Sequence, residues 1–297
     1  MSVKDVALAL LTVVLWGVAF VASRIGLDSF SPPQLVALRF LIASLPAFFI
    51  APPPVGWPIV IAAGLTLYAG QFLFQFFGIA NGMPVGLAAL VVQTQALFTV
   101  LFAALLLRER PTRRQIVGLL VAFAGLAVIA ATAGHDLSLL GFMLTLVSPV
   151  SFGIGNILLK RIGSTADLAL MAWMSLVPPL PAIAISLVLD GPEGFAHAIA
   201  VAPWSGWAAA LYLGVVATVL AYTIWGNLLR RYPVATVTPF ALLVPFVGAF
   251  SSAIVFGERF GPTRLLGMAC VLLGLAVIVL PRSRRAAPRP VPTGGEP

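Results

Sequence analysis

Charged side chains are scarce in this chain. Of its 297 residues, 9% are charged and 61% are hydrophobic, whereas a soluble domain usually carries about 25% charged residues. This composition excludes a water-soluble globule and a disordered chain. Cysteine is also scarce. Cys270 is the only one, so an internal disulfide is impossible and a disulfide-stapled secreted domain is excluded.

Residues for catalysis or metal binding are equally few. The sequence has two histidines, His135 and His197, with no metal-ligand spacing between them, and it has no Ser-His-Asp or glycine-rich phosphate motif. We therefore predict that the protein is not an enzyme and needs no metal or cofactor. The net charge of +8 does not indicate a nucleic-acid partner, because the basic residues separate hydrophobic blocks.

Long apolar runs are what the chain has in abundance. A membrane-spanning helix needs about 20 largely apolar residues, because its backbone polar groups must be satisfied within the segment. Cuts at charges and Pro/Gly clusters predict ten spans, at 6–27, 34–50, 57–78, 84–107, 114–133, 138–159, 168–189, 206–229, 234–256 and 263–280. The predicted fold class is an all-α polytopic membrane protein, followed by a polar, disordered tail at 281–297.

The distribution of Lys and Arg predicts the orientation. With a cytoplasmic N-terminus, thirteen of the 17 basic residues lie in inside segments, and only Arg24, Arg39, Arg259 and Arg264 lie toward the outside. This distribution satisfies the positive-inside rule with both termini in the cytoplasm. We expect a multi-pass protein of the inner membrane, in contact with the lipid bilayer and monomeric.

The chain contains an internal duplication. A shift of 149 residues aligns Pro84-Val85 with Pro233-Val234, Glu109-Arg110 with Glu258-Arg259, and Gly125 to Ile129 with Gly274 to Ile278. A shift of 136 aligns the first span with the sixth, and the difference of 13 places an insertion in the loop DGPEGFAHAIAVAPW. Each repeat has five spans, and an odd number requires the second copy to be inverted in the membrane.

These segments also carry a family resemblance. The chain resembles the drug/metabolite transporter superfamily, specifically its EamA-type ten-helix exporters, through WGVAFVASRIGL, SPPQLVALRF, LLLRERPTRRQIVGLLVAFAGLAVI and VFGERFGPTRLLGMACVLLGLAVIVL. Within that group it looks like the aromatic amino-acid exporters. The resemblance implies two inverted repeats, at 1–133 and 134–280, around a central cavity that opens alternately to the two sides. Phe152 departs from the family pattern, which has Trp there.

Polar side chains at lipid depth are costly and are functional candidates by default. In the third span, Tyr68, Gln71, Phe72 and Gln75 share one helical face by their i, i+3, i+4, i+7 spacing. We expect this face to line a cargo cavity. The alternative is that it joins helices by hydrogen bonds, which contribute about 0.6 kcal/mol each.

Further cargo-binding candidates lie in four other spans. In the fourth span, Gln93 and Gln95 face different directions, so one is expected to line the cavity and the other to join helices. For Lys160 the alternative is snorkelling to lipid headgroups, and for Tyr222 and Trp225 it is anchoring at the membrane interface. The remaining candidates are Trp16 and Phe20 of the first span, Asn156 and Lys160 of the sixth, which the shift of 136 aligns with Phe20 and Arg24, and Thr218, Tyr222 and Trp225 of the eighth.

A second group of residues is expected to be structural. Arg39 lies about two turns inside the second span, where Asp28 or a helix-end carbonyl is the expected partner, and binding of cargo is the alternative. The pairs Glu109-Arg110 and Glu258-Arg259 are expected to clamp helical hairpins, with each carboxylate near a helix N-terminus. Seven-residue spacings are expected to let the fifth and tenth spans pack closely at Gly118, Gly125, Gly267 and Gly274.

Together these features predict an exporter of small metabolites that works by alternating access. Amino acids, including aromatic ones, are the preferred cargo, because an aromatic and amide-rich cavity can stack a ring and hydrogen-bond a zwitterion. Nucleosides, nucleotide sugars and lipophilic drugs are the alternative cargoes, and a non-transporting membrane scaffold is the alternative of another class. Since the carboxylates and histidines lie in loops or at span ends, facilitated efflux is expected, with Lys160 the sole candidate for proton coupling.

Overall fold

A computed structural model describes residues 1–134, 136–162 and 168–280, so His135 and the predicted tail at 281–297 lie outside the described residues. In the described part, nine helices are long and apolar enough to cross a membrane, and a tenth apolar helix is shorter. The all-helical, ten-helix prediction is confirmed. We number the helices α1 (Val3–Leu27), α2 (Pro32–Phe48), α3 (Trp57–Ala80), α4 (Val85–Leu106), α5 (Arg113–Ala130), α6 (Leu139–Ile162), α7 (Ala169–Leu189), α8 (Trp204–Arg231), α9 (Val234–Phe256) and α10 (Pro262–Val279).

Proline sets two of the departures from the predicted spans. In α2, the α-helix Pro32–Ala43 gives way to a 3-10 turn, Leu45–Phe48, because Pro46 has no N–H with which to continue the α-helix. In α7, the α-helical segment resumes at Pro179–Leu189 after a break. The insertion before α8, which we expected to be a loop, contains the short helix Gly194–Val201.

Four further helices are interrupted, and these interruptions fall at equivalent positions of the two repeats. The helix widens to a π-helix at Gly64–Gly70 in α3 and at Tyr212–Leu220 in its mate α8. In α4 the α-helix stops at Val92, and in its mate α9 it tightens to a 3-10 segment, Thr238–Leu243. Broken helices with π segments are typical of transporter binding sites, because they free backbone groups at mid-depth.

Helices α5 and α10 pack backbone to backbone at four glycines. A Cβ added at Gly118 would lie 2.8 Å from the carbonyl oxygen of Gly274, and one at Gly125 would lie 2.6 Å from that of Gly267. The residue numbers therefore rise along α5 as they fall along α10. These two repeat mates run antiparallel, as an inverted duplication requires.

The two halves interlock through a second pair of equivalent contacts. A Cβ at Gly17 of α1 would lie 3.1 Å from the backbone of Gly248 in α9, and one at Gly153 of α6 would lie 3.1 Å from the backbone of Phe98 in α4. Large apolar side chains such as Leu120 face outward from the bundle. Such a surface suits lipid as the surrounding solvent.

Candidate functional site

A chain of touching aromatic rings joins four helices from both repeats. Trp16 of α1 lies 5.1 Å, between ring centroids, from both Tyr222 and Trp225 of α8. Tyr222 lies 6.3 Å from Tyr68 of α3. Four of the predicted cavity residues are therefore brought together. We call the set Trp16, Phe40, Tyr68, Phe72, Tyr222 and Trp225 the aromatic cluster.

The inner part of the aromatic cluster is packed on α2. Phe40 stacks on Tyr68 with 5.0 Å between centroids and contacts Phe72 at 5.4 Å. Phe40 is not among the predicted site residues, because a phenylalanine in an apolar run carries no signal of its own. Only its position beside Arg39 marks it.

Hydrogen bonds to α1 and α8 fix the outer part of the aromatic cluster. The indole Nε1–H of Trp16 donates to the carbonyl oxygen of Ala217 at 3.1 Å, within the π segment of α8. The hydroxyl of Tyr212 donates to the carbonyl of Leu15 at 3.0 Å. Trp16, Tyr222 and Trp225 are half-buried, whereas Tyr68 is buried. The aromatic cluster thus leads from a partly open region to the interior.

Arg39 lies at the buried end of the aromatic cluster. Its guanidinium carbon is 3.9 Å from the centroid of the Phe72 ring, and its Nε–H donates to Thr218 Oγ1 at 3.1 Å. The Thr218 hydroxyl in turn donates to the carbonyl of Leu213 at 2.7 Å. The prediction that Asp28 is the partner of Arg39 was wrong. Asp28 pairs with Arg24 at the end of α1, because Arg39 is directed from the middle of α2 toward α3 and α8.

Two amides on the aromatic-cluster face of α3 are buried without partners. Gln71 is 5% exposed and Gln75 is 3% exposed, and neither side chain makes a hydrogen bond to another described residue. The Oε1 atom of Gln71 is fully enclosed. A buried polar group without a partner costs about 1–3 kcal/mol. These amides are therefore not joining helices in this conformation.

One amide of α4 and one of α6 do join helices. Gln93, one of the cargo-binding candidates, donates through Nε2 to the carbonyl of Ala241, where α9 tightens to a 3-10 segment and presents that oxygen to α4. Gln95 is the α4 amide with a free buried oxygen. Asn156 donates to Thr99 Oγ1 at 3.0 Å and connects α6 to α4.

Two other predicted cargo residues lie apart from the aromatic cluster. Phe20 is buried in the apolar core with residues of α4, α5 and α10. Lys160 forms an ion pair with Glu109 at 2.7 Å, and both side chains are about half-exposed. A half-exposed pair of this kind contributes about 0–1 kcal/mol.

The duplicated Glu-Arg hairpins make different contacts in the two repeats. Glu258 accepts hydrogen bonds from the backbone N–H of Val85 at 2.6 Å and of Gly86 at 2.9 Å, so it caps the N-terminus of α4. Its mate Glu109 binds Lys160 instead. The arginines take no part in the expected hairpin clamps, since Arg110 and Arg259 are exposed and have no ion pair with another described residue.

Each hairpin is preceded by a residue in the left-handed conformation. Gly257 has φ of +67° and ends α9, and its repeat mate Arg108 has φ of +56° after α4. Left-handed backbone turns the chain sharply after a helix, and glycine adopts it without strain. The same turn therefore precedes both glutamates, and both reach a helix of the opposite repeat, but only Glu258 caps a helix N-terminus.

A separate cavity lies at the end of the bundle opposite the N-terminus. It has a volume of about 650 Å³ and is lined by Arg24, Asp136, Glu258, Arg259 and Arg264, among others. Arg264 donates to Asp136 Oδ1 at 2.7 Å and to Thr132. This pair could not be predicted from the sequence, because neither residue lies deep in an apolar run. The aromatic cluster does not line this cavity.

Comparison with known proteins places these features in a family. A model described as EamA-like transporter family matches residues 4–131 and 139–280. A "Probable amino-acid metabolite efflux pump" of Salmonella typhimurium is 41% identical over 97% of this chain and 99% of its own length. The protein of the same name in Escherichia coli is 40% identical over 94% and 96%.

Two further comparisons agree. A "Probable terminal-alkyne amino-acid exporter" of Streptantibioticus cattleyicolor is 31% identical over 96% of this chain and 97% of its own. A crystal structure that is 19% identical superposes with a TM-score of 0.62 over 92% of this chain and 96% of its own, and so shares the fold. The chain belongs to the EamA-like transporter family, within the drug/metabolite transporters.

Proposed function

We propose that this protein exports amino acids, including aromatic ones, across the inner membrane by alternating access. Three relatives that match over nearly their full length carry names that refer to amino-acid export. The aromatic cluster offers faces for an apolar or aromatic side chain, and the free amides of Gln71 and Gln75 offer hydrogen bonds to a zwitterion. The surplus of basic residues supports cytoplasmic termini.

The observation that carries the mechanism is the unequal state of the repeat mates. At the end opposite the N-terminus, Glu258 caps α4, and Val85 is 2% exposed. At the N-terminal end, the mate of Val85 is Val234, which is 61% exposed, while Glu109 is held by Lys160. In an inverted-repeat carrier, exchange of the two repeats' conformations generates the other state.

We propose that the described conformation faces inward, because the cavity at the Glu258 end is not lined by the aromatic cluster and Glu258 caps α4 there. With the N-terminus in the cytoplasm, the end closed by Glu258 is the outer end. In the outward-facing state, Glu109 leaves Lys160 and caps α9 at Val234, while Glu258 releases Val85. The two glutamates therefore close the two ends in turn. Each is stabilised only when its carboxylate accepts from the free N–H groups at a helix N-terminus.

We propose that the concentration gradient of the cargo drives its efflux. Among the described carboxylates, those in ion pairs lie near helix ends, as Glu109, Asp28 and Asp5 do. Of the basic groups, an arginine stays protonated whereas a lysine can lose its proton, so Lys160 is the group to test. A pH gradient alone is expected to drive no accumulation of labelled phenylalanine. Accumulation that persists in Lys160→Met contradicts both facilitated efflux and a role for the lysine.

Flux of a labelled amino acid in proteoliposomes tests the function. Vesicles loaded with labelled phenylalanine are expected to release it faster when their membrane contains the protein than when it is free of protein. Unlabelled tryptophan inside should slow the release, and uridine should not. A uridine effect equal to that of tryptophan favours the nucleoside alternative, and release no faster than from empty vesicles favours the scaffold alternative.

Two tryptophans provide a matched pair for the same assay. Trp16 belongs to the aromatic cluster, whereas Trp204 is 82% exposed at the start of α8. We expect Trp16→Ala to lower phenylalanine release by about tenfold per folded molecule, and Trp204→Ala to leave it unchanged. Equal effects of the two substitutions would contradict cargo binding at the aromatic cluster.

A further inference from the structure

Arg39 is a buried cation without a counterion. It is 3% exposed in the middle of α2, and none of the ion pairs among the described residues includes it. An arginine at the centre of a membrane helix costs about 2.5–3.5 kcal/mol. A chain that keeps such a charge without a carboxylate partner retains an unused site for an anion.

The bonding capacity of the guanidinium is mostly unused. It carries five N–H donors, and the single hydrogen bond that it makes to a described residue is from Nε to Thr218. Phe72 covers its flat face at 3.9 Å, which leaves the Nη edge free. That edge is the planar fork that binds a carboxylate through two parallel hydrogen bonds.

The surroundings suit an amino acid rather than a bare inorganic anion. The guanidinium carbon lies 5.6 Å from the Phe40 ring centroid and 3.9 Å from that of Phe72, and Phe40 stacks on Tyr68, so aromatic rings flank the charge. Gln71 and Gln75 share the helical face of Phe72, and the enclosed Oε1 of Gln71 is an acceptor without a donor. An ammonium group is a donor that would satisfy it.

We infer that Arg39 binds the α-carboxylate of the cargo, and that the amide of Gln71 accepts from the ammonium group of the same molecule. This inference rests on the proposed function and deepens it, because it makes the carboxylate a requirement for transport. Amines, alcohols and nucleosides of similar size lack that group and are rejected, since the buried guanidinium would stay unpaired.

Thr218 is the positioning residue of this site. Its hydroxyl accepts from Arg39 and donates to Leu213 within the π segment of α8, so it links α2 of the first repeat to α8 of the second. The space between Tyr68, Thr218 and Met171 is about 10 Å³, which is about one water molecule. The site is closed in this conformation, and cargo reaches Arg39 when α8 separates from α2.

Competition in proteoliposomes tests the carboxylate requirement. In the wild-type protein, unlabelled phenylalanine is expected to slow labelled phenylalanine release at least tenfold more effectively than phenylalaninol or phenethylamine does. Arg39→Gln is expected to lose at least tenfold in release, and Arg39→Lys to recover part of it, because lysine keeps the charge but lacks the fork. Arg110→Gln, in an exposed loop, is the matched control and should release phenylalanine normally.

Binding gives a second measurement that does not depend on flux. Phenylalanine should raise the unfolding temperature of the wild-type protein and not that of a folded Arg39→Gln variant. The inference is overturned if the wild type transports phenylalanine and Arg39→Gln releases it at the same rate, with the same order of competitors. If Arg39→Gln does not fold, equal competition by phenylalaninol in the wild type overturns it. If the wild type moves no amino acid, the proposed function fails, and stabilisation by phenylalanine but not phenylalaninol still supports the carboxylate site.

Discussion

The carboxylate of Glu258 accepts a hydrogen bond from the backbone N–H of Val85 at 2.6 Å, and this contact joins the last hairpin of the second repeat to the fourth helix of the first. It stabilises the N-terminus of α4, where unpaired N–H groups and the helix dipole favour a negative charge. The equivalent contact from Glu109 to Val234 is not made, since Glu109 pairs with Lys160. Because Glu258 and Glu109 occupy the same position of the duplicated motif, their different contacts reflect different conformations of the two repeats.

Removal of the Glu258 cap should favour the outward-facing state. A capping contact contributes about 1 kcal/mol, which is about a fivefold change in the population of the two states. In detergent-solubilised protein with Cys270→Ala, where a maleimide reaches both ends, Val85→Cys should react slowly, and Glu258→Ala should raise its rate about fivefold. The mate Val234→Cys should react quickly and slow down in Glu258→Ala. Unchanged rates at both positions would contradict the exchange of caps.

The proposed topology predicts the location of two loops. A reporter fused after Gly134, between α5 and α6, should report an external location, and one fused after Thr112, before α5, should report a cytoplasmic one. The expectation follows from thirteen basic residues on one side and four on the other. Reporters that both lie on the same side would be incompatible with the five-plus-five arrangement.

The free amides of α3 separate a cargo role from a structural one. Gln71→Leu or Gln75→Leu should abolish phenylalanine transport while the protein stays folded and inserted, because the apolar side chain satisfies the buried site without binding cargo. A glutamine that holds helices together behaves otherwise. Its loss would lower the unfolding temperature and leave transport per folded molecule nearly unchanged, and that result would assign α3 a structural role.

The crossing of α5 and α10 leaves no space for larger side chains. A Cβ at Gly125 would already lie 2.6 Å from the carbonyl oxygen of Gly267, so Gly125→Val should destabilise the protein by about 1–3 kcal/mol through overpacking. Gly134→Ala is the matched control, because a Cβ there meets no atom within 4 Å. Thermal unfolding in detergent measures both. Equal unfolding temperatures would show that the two helices are not tightly packed in solution.

The fold could be predicted from the sequence because lipid imposes a simple rule. Each apolar run must satisfy its own backbone, so run lengths, basic loops and the 149-residue duplication indicate ten helices in two repeats. The interruptions were not predicted, because a π segment such as Tyr212–Leu220 depends on packing against neighbouring helices. Prolines are the local signals of interruption, as Pro46 is in the turn Leu45–Phe48 and Pro239 is in the 3-10 segment Thr238–Leu243.

The site was predicted in part. Residues related by helical spacing could be recognised, whereas residues brought together only by the fold could not. Aromatic and amide side chains on one face of α3 have a helical spacing, so Tyr68 and Gln71 were recognisable. The partner of Arg39 was not, since Thr218 is 179 positions away and only the three-dimensional arrangement brings it within 3.1 Å. Gln93 shows the same limit. Its bond to Ala241 arises where two interrupted helices meet, and no spacing within α4 indicates it.

Counterflow measures the central claim most directly, because it requires a carrier that exposes one cargo site to each side in turn. Proteoliposomes preloaded with unlabelled phenylalanine are placed in a trace of labelled phenylalanine at equal pH on both sides. The account predicts a transient accumulation of label inside, above its external concentration, which then declines. Label that only equilibrates, as through a channel, or that does not enter at all would contradict transport by alternating access.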